Sequence, residues 1–354
     1  MTRYRTHTHR ATHQIVWPLR QRPLMNKPDQ KFEFSRVTPR NSLVAGASQA
    51  AATVNRALMN DDSSDREFEF NDKDFSRVRA LILKIAGISL APSKQSMVYS
   101  RLARRLRACN HSRFSTYLDA LESNPGSPEW EHFTNSLTTN LTSFYREAHH
   151  FDLLKKQLQS LSRSSRIDLW CSAASTGEEP YTMAITAMEA FNSMTPPVRI
   201  LATDIDTKVL DHAKKGVYRM DQVDKIPEDI LRKYFLKGKG ESEGLIRVRP
   251  EVQALLTFRK LNLMDNVWSL RPGFDAIFCR NVMIYFEKDV QMQILKRFAP
   301  LMNPNGLLYA GHSENFAMAR DYFSLRGKTV YTVNTDKAAK TGPSGESQQH
   351  IITA

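Results

Sequence analysis

Residues 166–206 read RIDLWCSAASTGEEPYTMAITAMEAFNSMTPPVRILATDID. A short apolar run from Ile167 to Cys171 stops at a small-residue loop holding one glycine, two glutamates and a proline. Helical spacing then resumes up to Asn192, and a second apolar run from Val198 ends at Asp204 and Asp206. Runs this short, rich in β-branched and large apolar residues, read as buried strands, and the apolar-periodic piece between them reads as a crossover helix. That is one βαβ unit, the building block of a parallel sheet.

The alternation continues on either side. FDAIFCRNVMIYF (274–286) predicts another buried strand, KDVQMQILKRFAPLM (288–302) a helix, and GLLYAGHSENF (306–316) and KTVYTV (328–333) late strands. Residues 226–263 break the rhythm: a short helix is followed by alternating strands around the glycine-rich turn GKGESEG (238–244), which is hairpin grammar. A small antiparallel β-subdomain is therefore expected at about 221–262. Upstream, NDKDFSRVRALILKIAGISL (71–90) places Phe75, Val78, Leu81, Ile82 and Ile85 on one helical face, behind an Asn/Asp cap and before the stop residue Gly87. Three more helices are expected at 96–110, 113–125 and from 127. The reading is an α/β chain with a doubly wound, mainly parallel sheet, preceded by an all-α domain. Its expected divisions are a basic, disordered extension at 1–68, a helical domain and linker at 69–145, a sheet domain at 146–335 and a disordered tail at 336–354.

Charge narrows the partners. The chain carries +13, yet residues 1–60 hold ten Lys or Arg against Asp29 and Glu33, so +8 sits in a stretch with no sustained period. That stretch is expected to form no core, and either Met25 or Met59 could serve as a later start. No aromatic–basic interleaving accompanies the charge, so no nucleic-acid partner is expected. The three cysteines, Cys109, Cys171 and Cys279, fit neither a disulfide framework nor metal-ligand spacing, and no metal is expected. Apolar runs are too short to span a membrane, and no secretory leader pattern is present. A cytoplasmic protein follows. Arg101, Arg104, Arg105 and Arg107 crowd two helical turns. They form either a solvated face with local acidic partners or a docking surface for something acidic.

In a doubly wound sheet the ligand lies beyond the carboxyl ends of the strands. An acid ending the second strand, here Asp204, suits the hydroxyls of a ribose. The preceding loop, AASTGEEP, has neither the G-x-G-x-x-G pattern nor a P-loop lysine, and Glu178 and Glu179 would repel phosphate. The pattern favours a cationic nucleoside without phosphate, a description that fits S-adenosylmethionine. The glutamates also suit a helix N-terminus, with Pro180 at its first position.

LTTNLTSFYREAHHF (137–151), WCSAASTGEEPYTMAI (170–185), ATDIDTKVLDHAKKGVYR (202–219), FDAIFCRNVMIYF and GLLYAGHSENF together closely resemble the CheR family of chemotaxis receptor methyltransferases, from about residue 71 to 333. The resemblance implies a class I S-adenosylmethionine-dependent methyltransferase that esterifies glutamates on cytoplasmic chemoreceptor helices, releasing S-adenosylhomocysteine. It implies cofactor contacts from Asn140, Thr142, Arg146, Glu179, Asp204, Asn262, Leu263, Arg280 and Asn281, with Arg146 and Tyr285 nearest the methyl transfer. It assigns Arg101, Arg104, Arg105 and Arg107 to receptor docking. Lys237, Gly238 and Arg247 of the hairpin correspond to the subdomain that in some members captures a receptor C-terminal peptide as an added strand. A monomer recruited to receptor arrays is expected. Glutamate is ionised at neutral pH, with an ordinary pKa near 4.3, so the chemistry needs no general base. His149, His150 and His312 are accordingly read as structural.

Overall fold

The structure, a computed structural model, describes residues 33–37, 66–164 and 166–334. A first strand, β1 (Glu33–Arg36), precedes the helical domain of α1 (Asp72–Ala86), α2 (Gln95–Ala108), α3 (Phe114–Ser123) and α4 (Glu129–Leu137). Asn71 caps α1 by accepting the Lys73 and Asp74 N–H groups, while Asp74 accepts the Asn71 N–H in return. Gly87 ends α1 in the left-handed region at φ 68°. A Cβ there would stand 2.5 Å from the Met264 sulfur and 2.9 Å from the Phe286 ring, so glycine lets the two domains close on each other. Val78, Ile82, Val98, Leu102, Phe114, Leu118 and Phe133 are fully buried in a core of their own.

The sheet domain runs through α5 (His149–Ser160), β2 (Ile167–Cys171), α6 (Glu178–Phe191), β3 (Val198–Asp204), α7 (Thr207–Lys215), β4 (Val217–Arg219), α8 (Glu228–Tyr234), β5 (Phe235–Lys239), β6 (Leu245–Val248), α9 (Pro250–Gln253), β7 (Leu256–Lys260), β8 (Phe274–Cys279), α10 (Lys288–Phe298), β9 (Met302–Ala310), β10 (Phe323–Gly327) and β11 (Val330–Val333). The large sheet has the order β10-β11-β9-β8-β2-β3-β7. β7, β3, β2, β8 and β9 are mutually parallel, and β11 and β10 add antiparallel at one edge. The order reverses between β2 and β8, where a crevice opens beyond the strand ends. One face packs under α5 and α6 through Leu154, Ile185 and Phe278, and the other under α10 through Trp170, Ile277 and Phe298.

Four expectations change. The smaller sheet has the order β1-β5-β6-β4, so the subdomain's strands begin at Val217 and finish at Val248. Leu256–Lys260, expected inside the insert, is instead the outer parallel strand of the large sheet, paired with β3 from Ile200 to Asp204. The basic extension, expected to be disordered, contributes β1, antiparallel to β5; edge pairing uses backbone groups and leaves little trace in composition. Finally, α6 starts at Glu178, which puts Pro180 at its third position, still within the first turn where its missing N–H is no loss. The remaining expectations for 1–32, 38–65 and 335–354, alternative starts and the tail included, lie outside the described residues.

Candidate active site

Between the helical domain and the strand ends lies a cavity of about 270 Å³, sized for a small molecule. It is lined by every cofactor and catalytic candidate: Asn140, Thr142, Arg146, Glu179, Asp204, Asn262, Leu263, Arg280, Asn281 and Tyr285. They come from the linker after α4, the first turn of α6, the end of β3, the segment after β7 and the segment after β8. The convergence is tertiary.

Asp204 is buried, and each of its oxygens accepts one backbone N–H: Oδ2 from Ser175 at 2.8 Å and Oδ1 from Asp206 at 2.9 Å. A carboxylate has about four acceptor sites, so two remain for a pair of hydroxyls. Burial raises its pKa to about 6, against the opposing pull of those N–H groups, and at neutral pH it stays mainly ionised. Two residues on, Asp206 accepts the α7 N–H groups of Lys208 and Val209 through Oδ1. Its Oδ2 accepts from the Thr138 hydroxyl at 2.8 Å and from the Asn140 amide at 2.9 Å. Asn140 therefore joins the linker to the sheet, and its carbonyl accepts the Ser175 hydroxyl at 3.1 Å.

Arg280, at the end of β8, has a fully buried guanidinium. Nη1 lies 2.7 Å from Glu179 Oε2, while Nη2 lies 3.2 Å from Glu147 Oε2 and donates to the Arg146 carbonyl at 2.5 Å. Burial pushes the Glu179 carboxyl up, with Arg280 opposing. At Glu147 burial acts the same way, but the charge of Arg280 and the His312 hydrogen bond outweigh it and bring the carboxyl down to about 2. Around Arg280 two carboxylates face one guanidinium, and Asp204, Lys94 and Arg146 complete the charged lining of the cavity. The two neighbouring glutamates divide their work: Glu178 is buried beneath the loop, accepting the Thr176 hydroxyl at 2.6 Å, and Glu179 borders the cavity.

Asn262 spends both ends of its amide on protein: Nδ2 donates to the Ile85 carbonyl at 2.7 Å and Oδ1 accepts the Met264 N–H at 3.0 Å. Its bond to Ile85 joins the two domains, and the adjoining Leu263 is buried and gives the cavity an apolar wall. Arg146 is half-buried and donates to the Leu141 carbonyl at 2.8 Å. Its neighbours Tyr145 and Glu147 both adopt left-handed φ, at 54° and 55°, and Ser175 and Asn281 do so at 48° and 58°. Such backbone is costly for non-glycine residues and clusters where side chains must be aimed.

Two residues escaped the sequence reading. Glu147 acts as described. Glu314 is buried, and its carboxylate accepts four backbone N–H groups, those of Gly311, Asn281, Val282 and Met283, which fixes the loop carrying Arg280 to Tyr285. Its signal was a lone acid in the apolar setting of GLLYAGHSENF. Of the histidines, His150 is fully buried against the Lys328 carbonyl, and burial lowers its pKa to about 4.

The arginines of α2 are dispersed in role. Arg105 makes a two-pronged pair with Glu129, at 2.8 and 2.6 Å, which also accepts the Tyr117 hydroxyl. Arg101 donates to the Thr138 carbonyl beyond the end of α4 at 2.6 Å, and Arg107 pairs with Glu67 at 2.8 Å on the surface. Arg104 is exposed, with no partner among the described residues.

Residues 140–332 match the family described as CheR methyltransferase, SAM binding domain, and residues 73–138 match its all-alpha domain. The chain belongs to the CheR methyltransferase family. It is 48% identical over 268 residues to the chemotaxis protein methyltransferase of Salmonella typhimurium, covering 76% of this chain and 92% of that one. It is 48% identical over 266 residues to that of Escherichia coli, covering 75% and 92%. It is 47% identical over 271 residues to chemotaxis protein methyltransferase 2 of Pseudomonas aeruginosa, covering 75% and 95%. The boundary between the two CheR matches falls at the linker whose Thr138 and Asn140 are held by Asp206. The CheR match to the SAM binding domain also encloses the whole cavity rim from Asn140 onward.

Proposed function

We propose that this chain transfers the methyl group of S-adenosylmethionine to glutamate side chains on the cytoplasmic helices of chemoreceptors, forming glutamyl methyl esters and S-adenosylhomocysteine for adaptation in chemotaxis. The carrying observation is a cavity free of any phosphate-binding pattern in which the carboxylates of Asp204 and Glu179 line the same space as Arg146 and Tyr285. Asp204 would receive the ribose hydroxyls, Leu263 and Asn262 would wall the adenine, and Glu179, Arg280 and Asn281 would hold the amino-acid end, with Asn140 and Thr142 over the top. S-adenosylmethionine supplies a methyl group on a sulfonium, a leaving group that needs no proton.

The protein's share is alignment. An ionised glutamate is already a nucleophile, so Arg146 orients the incoming carboxylate and Tyr285 packs at the reacting centre. Alignment and exclusion of water can contribute roughly 7–11 kcal/mol to lowering the barrier. Arg146 positions more than it neutralises, because stabilising the ground-state carboxylate would slow attack. Leu141 and Ile284 are exposed large apolar residues flanking Thr142 and Tyr285, which suits an approaching amphipathic helix.

Arg104 and Arg107 present charge to acidic receptor helices, while Arg101 and Arg105 hold the helical domain in shape. The β-subdomain, with Lys237, Gly238 and Arg247, takes a receptor C-terminal peptide. The chain acts as a cytoplasmic monomer, without a metal, at receptor arrays. Incubating it with tritiated S-adenosylmethionine and receptor-containing membranes tests the whole reading. Label released as methanol by base supports it. Label that survives base, or that enters nucleic acid instead, removes it.

A further inference from the structure

The segment Glu33–Arg36 lies antiparallel along β5, in register Glu33 with Lys239, Phe34 with Gly238, Ser35 with Lys237 and Arg36 with Leu236. Without it β5 would be an open edge, since β6 occupies its other side. Open edges present unpaired N–H and C=O groups and recruit extended peptides. The contacts are chemically specific. A Cβ on Gly238 would meet the Ser242 carbonyl oxygen at 1.9 Å, so this position must be glycine, and Phe34 stands opposite it in register. The Arg247 guanidinium stands 5.9 Å from the Phe34 ring centroid, Glu33 faces Lys239 across the ladder, and Val37 packs against the main core. Lys237, Gly238 and Arg247, the three residues proposed for peptide capture, all meet the chain's own segment.

We propose that the edge of β5 is a peptide-docking strand whose resident occupant is the chain's own Glu33–Arg36, so that an outside peptide with an aromatic beside an acid docks only by displacing it. Its regulatory meaning rests on the reading that the β-subdomain captures a receptor peptide. A tethered segment has an effective concentration on the order of millimolar, so a peptide of about 0.1 mM intrinsic affinity would bind the intact chain roughly tenfold more weakly. Receptor tethering would thus be gated from within.

The test uses full-length protein and a fluorescein-labelled synthetic peptide, KFEFSRV, copying residues 31–37. The Phe34→Ala chain should bind the probe roughly tenfold more tightly than the unaltered chain, with S-adenosylhomocysteine affinity unchanged as proof of folding. Equal affinity in the two overturns the proposal. In a second protein, Ser35→Cys with Lys237→Cys joins residues that face each other in register. A disulfide within one monomer that abolishes probe binding, restored by reductant, supports it. Failure to cross-link, or a cross-linked dimer, overturns it. Adding unlabelled chemoreceptor C-terminal peptides separates the two readings. If the probe behaves as expected but these peptides fail to compete, receptor capture falls and self-occupancy stands. If they bind the unaltered and Phe34→Ala chains alike, self-occupancy falls and capture stands.

Discussion

Arg280 Nη1 lies 2.7 Å from Glu179 Oε2, and the guanidinium making this contact is fully buried. Its second arm reaches Glu147 at 3.2 Å. Removing the cation would leave two inward carboxylates facing each other, so Arg280→Ala should lower stability by about 3–5 kcal/mol in urea unfolding. Arg280→Lys should rescue little, because an ammonium cannot span both acids and the Arg146 carbonyl. Glu147, held at about 2 against an ordinary 4.5, stabilises the fold fully above pH 4.5, and that contribution is lost as pH falls from 4.5 towards 2. The Glu147→Gln chain should show a flatter acid limb; an unchanged limb would separate Glu147 from Arg280.

Cofactor affinity should depend on Asp204. Its carboxyl sits at about 6, raised by burial, so protonation between pH 7 and 5 removes an acceptor pair from the cavity. Calorimetry with S-adenosylhomocysteine should show binding weakening below about pH 6, and Asp204→Asn should bind more weakly at pH 7.5 with little pH dependence. For stability the sign is opposite: a raised acid favours the fold below its unfolded pKa, and this is lost as pH rises through 6.

Arg146→Ala should cut methyl transfer strongly while leaving the unfolding midpoint close to that of the parent, since the one described hydrogen bond of its side chain is to a neighbouring carbonyl and its backbone bonds survive the change. Turnover near that of the parent would place Arg146 outside the chemistry. Tyr285→Phe, which keeps the ring, separates packing from hydrogen bonding by the size of its own loss.

Glu314→Ala should act at a distance. Four backbone N–H groups lose their acceptor, which should cost on the order of 3 kcal/mol and loosen the loop from Arg280 to Tyr285. Loss of turnover should exceed loss of receptor binding, because the disturbed groups line the cavity.

On α2, neighbouring arginines should behave differently. Arg105→Ala breaks its sheltered pair with Glu129 and should destabilise the helical domain by about 2 kcal/mol. Arg104→Glu should leave thermal unfolding unchanged and raise the KM for receptor. Equal effects from the two would mean that the cluster is a single surface.

The elements themselves were readable because each is encoded locally. The alternation in 166–206, the Asn71 cap and the Gly87 stop yield strands and helices close to those observed. Loop chemistry without phosphate-binding glycines or lysine pointed to a cationic nucleoside, and all ten cofactor and catalytic candidates border one cavity. Long-range pairings were less visible. LTFRKL has strand character whichever sheet it joins, and only its pairing with β3 places it in the large one.

What the linear order of residues determined by itself is the set of secondary elements, their βαβ grammar and the chemistry at the strand ends, because hydrophobic period, caps and loop composition act between near neighbours. Only the tertiary structure decided which charges cancel and which edges are covered. Arg105 meets Glu129, Arg280 meets Glu147, and Glu33–Arg36 meets β5 across gaps of 24, 133 and about 200 positions. Those encounters depend on how layers pack and on backbone groups that every residue carries, and composition holds no record of either.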